Sequence, residues 1–257
     1  MMRILWNSKS AMNANQEKLD TISNNLANVN TTGYKKVETG FKDLLSESFD
    51  RLGYPVYDKE SYTGTGVKTA EWTRNNLQGN LLQTNLPTDI AIDGRGYFRV
   101  TTEDGSYAYT RDGEFRVDAT GTLVTTEGYK LSINYENGYS AGNPALKGEN
   151  INIDKDGNLY LKNGDTYNKI GTIPLYNAVG DNAFISAGEN LYVPAEGVQI
   201  NEETDGDLYQ GYLEGSNVDM AQEFSDMIIT QRAFQLASKG ITTADEMWGM
   251  VNNMRSR

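Results

Sequence analysis

The chain contains no cysteine and no histidine. The first absence excludes disulfides, thiol nucleophiles and cysteine-ligated zinc. The second removes the commonest general base and the commonest transition-metal ligand. Any catalysis would have to run on carboxylates, Lys, Tyr, Ser or Thr, so most hydrolase and transferase chemistries lose their best groups. No run of about eighteen apolar residues occurs, and no membrane-spanning helix is expected. The first residues, Met1-Met2-Arg3-Ile4-Leu5-Trp6-Asn7-Ser8-Lys9, turn polar too soon for a cleaved secretory signal.

Breakers are missing from both ends. All five prolines and 22 of the 26 glycines fall between residues 51 and 216. Charge divides the chain at the same places. Residues 1–50 hold six basic and six acidic side chains, 217–257 hold four against five, and 51–216 hold thirteen against twenty-four. The acidic middle excludes nucleic acid as an expected partner, because phosphate requires the opposite field. A solvated surface accounts for the excess.

Helical periodicity lies in the two breaker-poor ends. Leu5, Met12, Leu19 and Leu26 recur every seven residues, with Ser8, Asn15, Ile22 and Val29 on the companion line. Asn30-Thr31-Thr32-Gly33 is expected to end this helix, with Gly33 as a left-handed cap. At the other end Met220, Met227, Phe234, Ile241 and Trp248 keep the same spacing. Glu223, Thr230, Ala237, Ala244 and Val251 fill its companion line, and Ser216-Asn217-Val218-Asp219 supplies a capping-box-like start. Both stripes are incompletely apolar. Each could pack on the same chain, as amphipathic helices do, but a lone terminal helix is marginal without a contacting surface.

Between the ends the pattern is that of strands and turns. Phe41, Leu44, Leu45 and Phe49 suggest one further short helix, followed by a Gly/Tyr-rich loop. Ile90-Ala91-Ile92 and Tyr97-Phe98-Arg99-Val100 flank Asp93-Gly94-Arg95-Gly96, and Tyr107–Thr110 and Phe115–Val117 flank Arg111-Asp112-Gly113-Glu114; both predict hairpins. Asp118-Ala119-Thr120-Gly121-Thr122-Leu123 recurs in kind as Asp154-Lys155-Asp156-Gly157-Asn158-Leu159. Further strands are expected at 151–153, 159–161, 170–176, 191–193 and 208–213. The fold class is mainly β with α-helical termini: an all-β central domain, a sandwich or open barrel, flanked by two long helices. The expected boundaries are 1–33 for the N-terminal helix, 34–75 for a linker, 76–215 for the β domain and 216–257 for the C-terminal helix.

No constellation supports catalysis or a cofactor. Asp154-Lys155-Asp156-Gly157-Asn158 and Asn201-Glu202-Glu203-Thr204-Asp205-Gly206 begin like calcium loops. The first has its glycine fourth rather than sixth, and the second carries Tyr212 where the bidentate glutamate belongs. Both read as turns. Gly64-Thr65-Gly66 and Gly94-Arg95-Gly96 lack the third glycine of a dinucleotide loop. No metal and no cofactor are expected, and the chain is not expected to be an enzyme.

Four stretches, in order, carry a resemblance. Leu19 to Lys35, with Asn24-Asn25-Leu26-Ala27-Asn28 before Thr31-Thr32-Gly33-Tyr34-Lys35, resembles the N-terminal signature of the flagellar basal-body rod and hook family. Leu86 to Phe98 is similar to its central motif, and Tyr109–Gly113 with Asp118–Gly121 to the next. Glu214–Asp219 and Met227-Ile228-Ile229-Thr230-Gln231-Arg232-Ala233-Phe234 resemble its C-terminal signature, although Ala237 stands where the family commonly carries Asn. The resemblance implies a self-assembling axial subunit of a rod rather than a hook, with the distal position favoured over the proximal. It further implies that the terminal helices form an inner coiled-coil layer on assembly and the β domain an outer one. The implied partners are further copies, other rod and hook subunits and the flagellar type III export machinery. Leu5, Met12, Asn15, Leu19, Ile22, Asn24, Asn25, Leu26, Asn28, Val29, Met220, Met227, Gln231, Arg232, Phe234, Ile241 and Trp248 are the expected assembly contacts. A secreted β-rich adhesin or carbohydrate-binding module is the alternative; it leaves both heptad ends idle.

Overall fold

The breaker-free ends fold as the heptads require: α1 spans Met2–Ala27 and α2 spans Met220–Arg255, with short strands between them. The structure, a computed structural model, describes residues 2–44, 46–48, 62–136, 138–142, 146–163, 166–180 and 183–255. The chain divides into two units. One comprises residues 1–27, 37–73 and 219–257, the other residues 28–36 and 74–218.

In the first unit α1 and α2 pack side by side. A Cβ on Gly240 would strike the Ser8 hydroxyl, and Asn25 bonds Glu223, so the helices run antiparallel. The segment expected to be a linker with a short helix is instead a β-ladder: Phe41–Asp43 pairs with Val67–Thr69, and Ser46–Ser48 with Tyr62–Gly64. Leu45 and Phe49, the other two apolar residues of that expected helix, lie outside the described residues. Phe41 to Asp43 are all exposed, so these apolar positions have no buried face to hold a helix against. The ladder is fixed to α1 instead, where the Ser10 hydroxyl accepts the Val67 N–H at 3.3 Å and the Thr69 hydroxyl bonds Glu17. The Lys18 ammonium sits 5.3 Å from the centre of the Phe41 ring.

The second unit is built on an antiparallel nine-stranded sheet and an antiparallel four-stranded sheet. Tyr97–Thr101 is the central strand of the larger sheet. One edge pairs with Tyr107–Thr110, while the other is shared between Lys130–Leu131 and Leu175–Ala178. Its side chains alternate between two buried layers. Phe98 points into the core shared with the four-stranded sheet, where it meets Phe115 edge-on at 5.2 Å beside Leu159, Ile170 and Ile153. Tyr97 joins Tyr109, Tyr176, Phe184 and Tyr192 in an aromatic layer. Two sheets around one core make this the sandwich form of the expected β domain.

Neither expected hairpin forms. Ile90–Asp93 pairs with Asp207–Gln210, away from Tyr97–Thr101. Gly94 and Gly96, at φ of 118° and 124°, lie outside the left-handed helical values a tight hairpin turn uses. Tyr107–Thr110 has one edge on Tyr97–Thr101 and the other on Leu191–Pro194, so no edge remains for Phe115–Val117. The repeated Asp-x-x-Gly turns, by contrast, are the same structure twice. Asp118 N–H donates to Thr122 and accepts at its carbonyl from Gly121; Asp154 does the same with Asn158 and Gly157. The glycines sit at φ of 76° and 78°. In both, the carboxylate accepts the next backbone N–H, so Asp154 serves its own turn. The second loop read as a turn opens inside a strand, Ile200–Glu203.

Leu159 is fully buried at the centre of the shared core. Its truncation to alanine should lower stability by about 2–5 kcal/mol, the usual cost of a core leucine cavity, measured by urea denaturation. A loss below 1 kcal/mol would show that the two sheets do not depend on this contact.

Candidate assembly interface

Capping sets where α2 begins. The Asp219 carboxylate accepts the N–H of Ala221 at 2.9 Å and of Gln222 at 3.2 Å, two of the free donors at a helix start. The Ser216 hydroxyl accepts Val218 N–H, outside the helix, so Asp219 alone does the capping. From there the line turned inward is the small and polar one. Glu223, Thr230 and Ala244 are buried, matched on α1 by Ala14, Thr21, Ile22 and Asn25. Small residues let the two backbones approach closely, as Ser8 and Gly240 show.

Asn25, second of the signature asparagines, is 1 % exposed. Its carbonyl oxygen accepts Val37 N–H at 3.0 Å, and its amide donates to the Val37 carbonyl at 2.8 Å and to Glu223 Oε2 at 3.3 Å. It ties α1 to the returning chain and to α2, so its side chain is turned into the protein rather than toward a neighbour. Ile22 is likewise buried. Leu5, Met12, Asn15, Leu19, Leu26, Asn28, Val29, Met227, Phe234 and Ile241 are half-buried, while Asn24, Met220, Gln231, Arg232 and Trp248 are exposed. The heptad line of α2 is therefore partly used within the chain.

The open apolar surface lies elsewhere on α2. Ile229 and Leu236, one residue before the buried Thr230 and the half-buried Ala237, are 66 % and 68 % exposed. That offset turns them about 100° around the helix. Met247, Met250 and Met254 continue the flank, and every residue from Asp245 to Met254 is exposed. Phe224 and Ile228 are exposed as well.

In the second unit three of the signature stretches meet in one buried ionic cluster. The Glu214 carboxylate receives Lys35 Nζ at 2.6 Å, an Arg111 guanidinium nitrogen at 3.1 Å and the Gly79 N–H at 2.9 Å. Lys35 also donates to the Leu77 carbonyl and Arg111 to that of Gly94. All three side chains are at most 4 % exposed. Burial lowers the Lys35 pKa, with Glu214 acting against it. Gly33, expected as the α1 cap, lies six residues beyond the end of α1 and does a different job. It adopts a φ of 68°, its N–H donates to the Glu214 carbonyl, and a Cβ there would come within 2.5 Å of the Arg111 carbonyl carbon. Beside it, Thr32 donates to the Asp112 carboxylate at 2.8 Å. Asn217 closes the cluster by accepting Lys36 N–H and donating to the carbonyls of Asn75 and Leu77. None of Lys35, Arg111 or Glu214 stands out by charge alone; what marks them in the sequence is that each lies inside a signature stretch.

Helical termini on either side of a β unit, with these signature stretches in order, point to an axial flagellar subunit, and comparison with known proteins agrees. Residues 5–35 match the family described as flagella basal body rod protein, 91–231 the flagellar hook protein FlgE/F/G D1 domain, and 209–254 the flagellar basal body rod FlgEFG protein C-terminal region. The chain belongs to the flagellar basal-body rod and hook protein family. It is 38 % identical over 271 residues to the flagellar basal-body rod protein FlgG of Borreliella burgdorferi, covering 99 % of each chain. It is 37 % identical to FlgG of Bacillus subtilis over 99 % of this chain and 100 % of that one. With the flagellar hook-basal body complex protein FlhP of Bacillus subtilis the identity is 31 %, at the same coverage.

Replacing Glu214 by alanine leaves two buried cations without their carboxylate and should cost about 3–5 kcal/mol. Lys35→Met, which leaves Glu214 held by Arg111 and Gly79, should cost less; equal losses in urea denaturation would contradict the hub role of Glu214. Asp112 gives a pH signature. Burial raises its pKa above the usual 3.8, against the bonds from Glu114 N–H and Thr32. A raised folded pKa means that the folded state binds the proton more tightly, so ionised Asp112 costs stability at neutral pH, relieved as pH falls through the folded value. Asp112→Asn, which can still accept both bonds, should therefore stabilise at pH 7. Its advantage should shrink on acidification and vanish below the unfolded value; a constant difference across that window would refute the assignment.

Proposed function

We propose that this protein is a structural subunit of the bacterial flagellar basal-body rod, in the distal position, assembling with further copies and with other rod and hook subunits. Near-full-length similarity to rod proteins named FlgG supports the rod assignment. The observation that carries the assembly mechanism is the balance of apolar surface on the helical hairpin. Ile22 is its one large apolar side chain that is fully buried among the described residues, whereas Ile228, Ile229, Leu236, Met250 and Met254 are each at least 59 % exposed. Large apolar side chains left exposed along one flank of a helix mark an interaction site.

On this reading the helices pair first within the chain, along the small and polar line, and then present the Ile229–Leu236–Met250 flank to neighbouring subunits. Such a contact between different surfaces does not close and so propagates into a helical tube. Repetition along and around the axis would suit the tube to carry torque to the hook. Delivery through the flagellar type III export machinery, and a place in the basal body beyond the cytoplasmic membrane, belong to the same proposal. A hairpin with so little buried apolar surface costs little to unfold for passage through a narrow channel. No helix among the described residues is long and apolar enough to cross a membrane.

The test is Ile229→Asp combined with Leu236→Asp. Both positions are exposed, so the melting temperature of the purified chain should move by no more than about 2 °C, while rod assembly and swimming are lost because two charges enter a desolvated contact. Normal swimming would reject the proposed surface. The equivalent change at Met227 and Phe234 should instead lower the melting temperature, since those side chains are half-buried within the chain.

A further inference from the structure

The β unit carries a cationic cleft on an otherwise acidic protein. A cavity of about 530 Å³ opens between the Arg74–Leu77 segment, the start of the central strand and the Asn177–Gly180 turn. Arg74, Arg95 and Arg111 line it, and no carboxylate does among the described residues, although the chain as a whole has a net charge of −12. Arg111 is already bonded to Glu214. Arg74 is fixed in place, donating to the Phe184 carbonyl at 3.0 Å with its guanidinium 4.2 Å from the Tyr192 ring centre. Arg95 is exposed and makes no hydrogen bond or ion pair to any described residue. Exposed Leu77 and Val179, at 71 % and 87 %, stand at the rim. Two guanidinium groups without carboxylates, beside asparagine amides and the apolar rim, fit a short acidic segment.

The same strand supplies such a segment at its other end. The cleft borders Gly96 and Tyr97, where Tyr97–Thr101 begins; the strand ends in the turn Thr102-Glu103-Asp104-Gly105-Ser106. That turn is closed by two backbone bonds, Thr102 N–H to the Ser106 carbonyl and Gly105 N–H to the Thr102 carbonyl, both at 3.0 Å. It projects freely, for a Cβ on Gly105 would meet nothing within 4 Å. Glu103 and Asp104 are exposed, make no ion pair to any described residue, and are followed by Tyr107, 57 % exposed. Acceptor and donor thus lie at opposite ends of one strand, about five residues or roughly 17 Å apart, too far to meet within one chain.

We infer that the Glu103-Asp104 turn of one copy docks in the Arg74–Arg95 cleft of the next, a head-to-tail contact between β units that rests on the rod reading. A contact between two different surfaces of identical chains repeats without closing. Complementary charge would set which copy meets which and in what register. This contact would run through the β layer, independent of the apolar flank of α2.

The test is a charge swap in the full-length chain, produced in a strain lacking its own copy and read as the amount of chain in purified basal bodies. Arg95→Glu should lower incorporation about tenfold, as should Glu103→Lys with Asp104→Lys, since each places like charges in contact. All three changes together should restore it to within about threefold. The exposed positions predict unchanged melting temperatures for every variant, which separates lost contact from lost fold. Full incorporation of either reversed variant, or no recovery in the combined one, overturns the contact and leaves the rod reading intact. Absence of the unaltered chain from basal bodies would overturn the rod reading and this inference with it.

Discussion

The Glu214 carboxylate is the constraint on which the second unit depends. It sits immediately before the chain turns toward α2, and it is buried with one lysine, one arginine and one backbone N–H directed at it. Burying three charges is costly unless their hydrogen bonds are closed, and here Lys35 and Arg111 spend further donors on the Leu77 and Gly94 carbonyls. Segments distant in sequence must therefore arrive together for any of them to be tolerated in the interior. The left-handed turn at Gly33 is part of the same requirement, because a side chain there would push the 28–36 segment off Arg111.

The helical hairpin solves a different problem. A coiled coil that buried its largest side chains within the chain would be stable alone and would leave nothing for a neighbour. This one turns mainly alanine, threonine, asparagine and glutamate inward, with Ile22 among them, and leaves Ile228, Ile229, Leu236 and several methionines of α2 outside. The buried Asn25–Glu223 bond fixes which turn of one helix faces which turn of the other, a register role often filled by a polar residue in an apolar seam. Specificity is kept inside and adhesive surface outside.

Much of this was legible in the sequence, and the failures have identifiable physical causes. Helices at both ends, a β middle and the twin Asp-x-x-Gly turns follow from local pattern: heptad spacing, breaker distribution and glycine placed where φ must be positive. The hairpins at 93–96 and 111–114 did not form because pairing is decided by which edges are free, and Tyr107–Thr110 had none. The short helix at 41–49 failed because its described apolar residues are exposed in a strand ladder. For the interface, seven-residue spacing located the stripes but could not say which line turns inward. Glu223 and Thr230 looked like flaws in a seam, and they are its buried centre. The Lys35–Arg111–Glu214 cluster joins residues too far apart for periodicity to connect, so only their shared presence in signature stretches hinted at it.

The bonds around Asn217 have a mechanical meaning within the second unit. The chain passes from one unit to the other four times, after residues 27, 36, 73 and 218. On the β side, the chain beside three of these crossings is stitched laterally: Asn217 holds Lys36, Asn75 and Leu77, and Asn75 N–H donates to the Lys36 carbonyl. A pull on any one of these segments is therefore passed to the other two through side-chain and backbone bonds, as load is shared among braced struts.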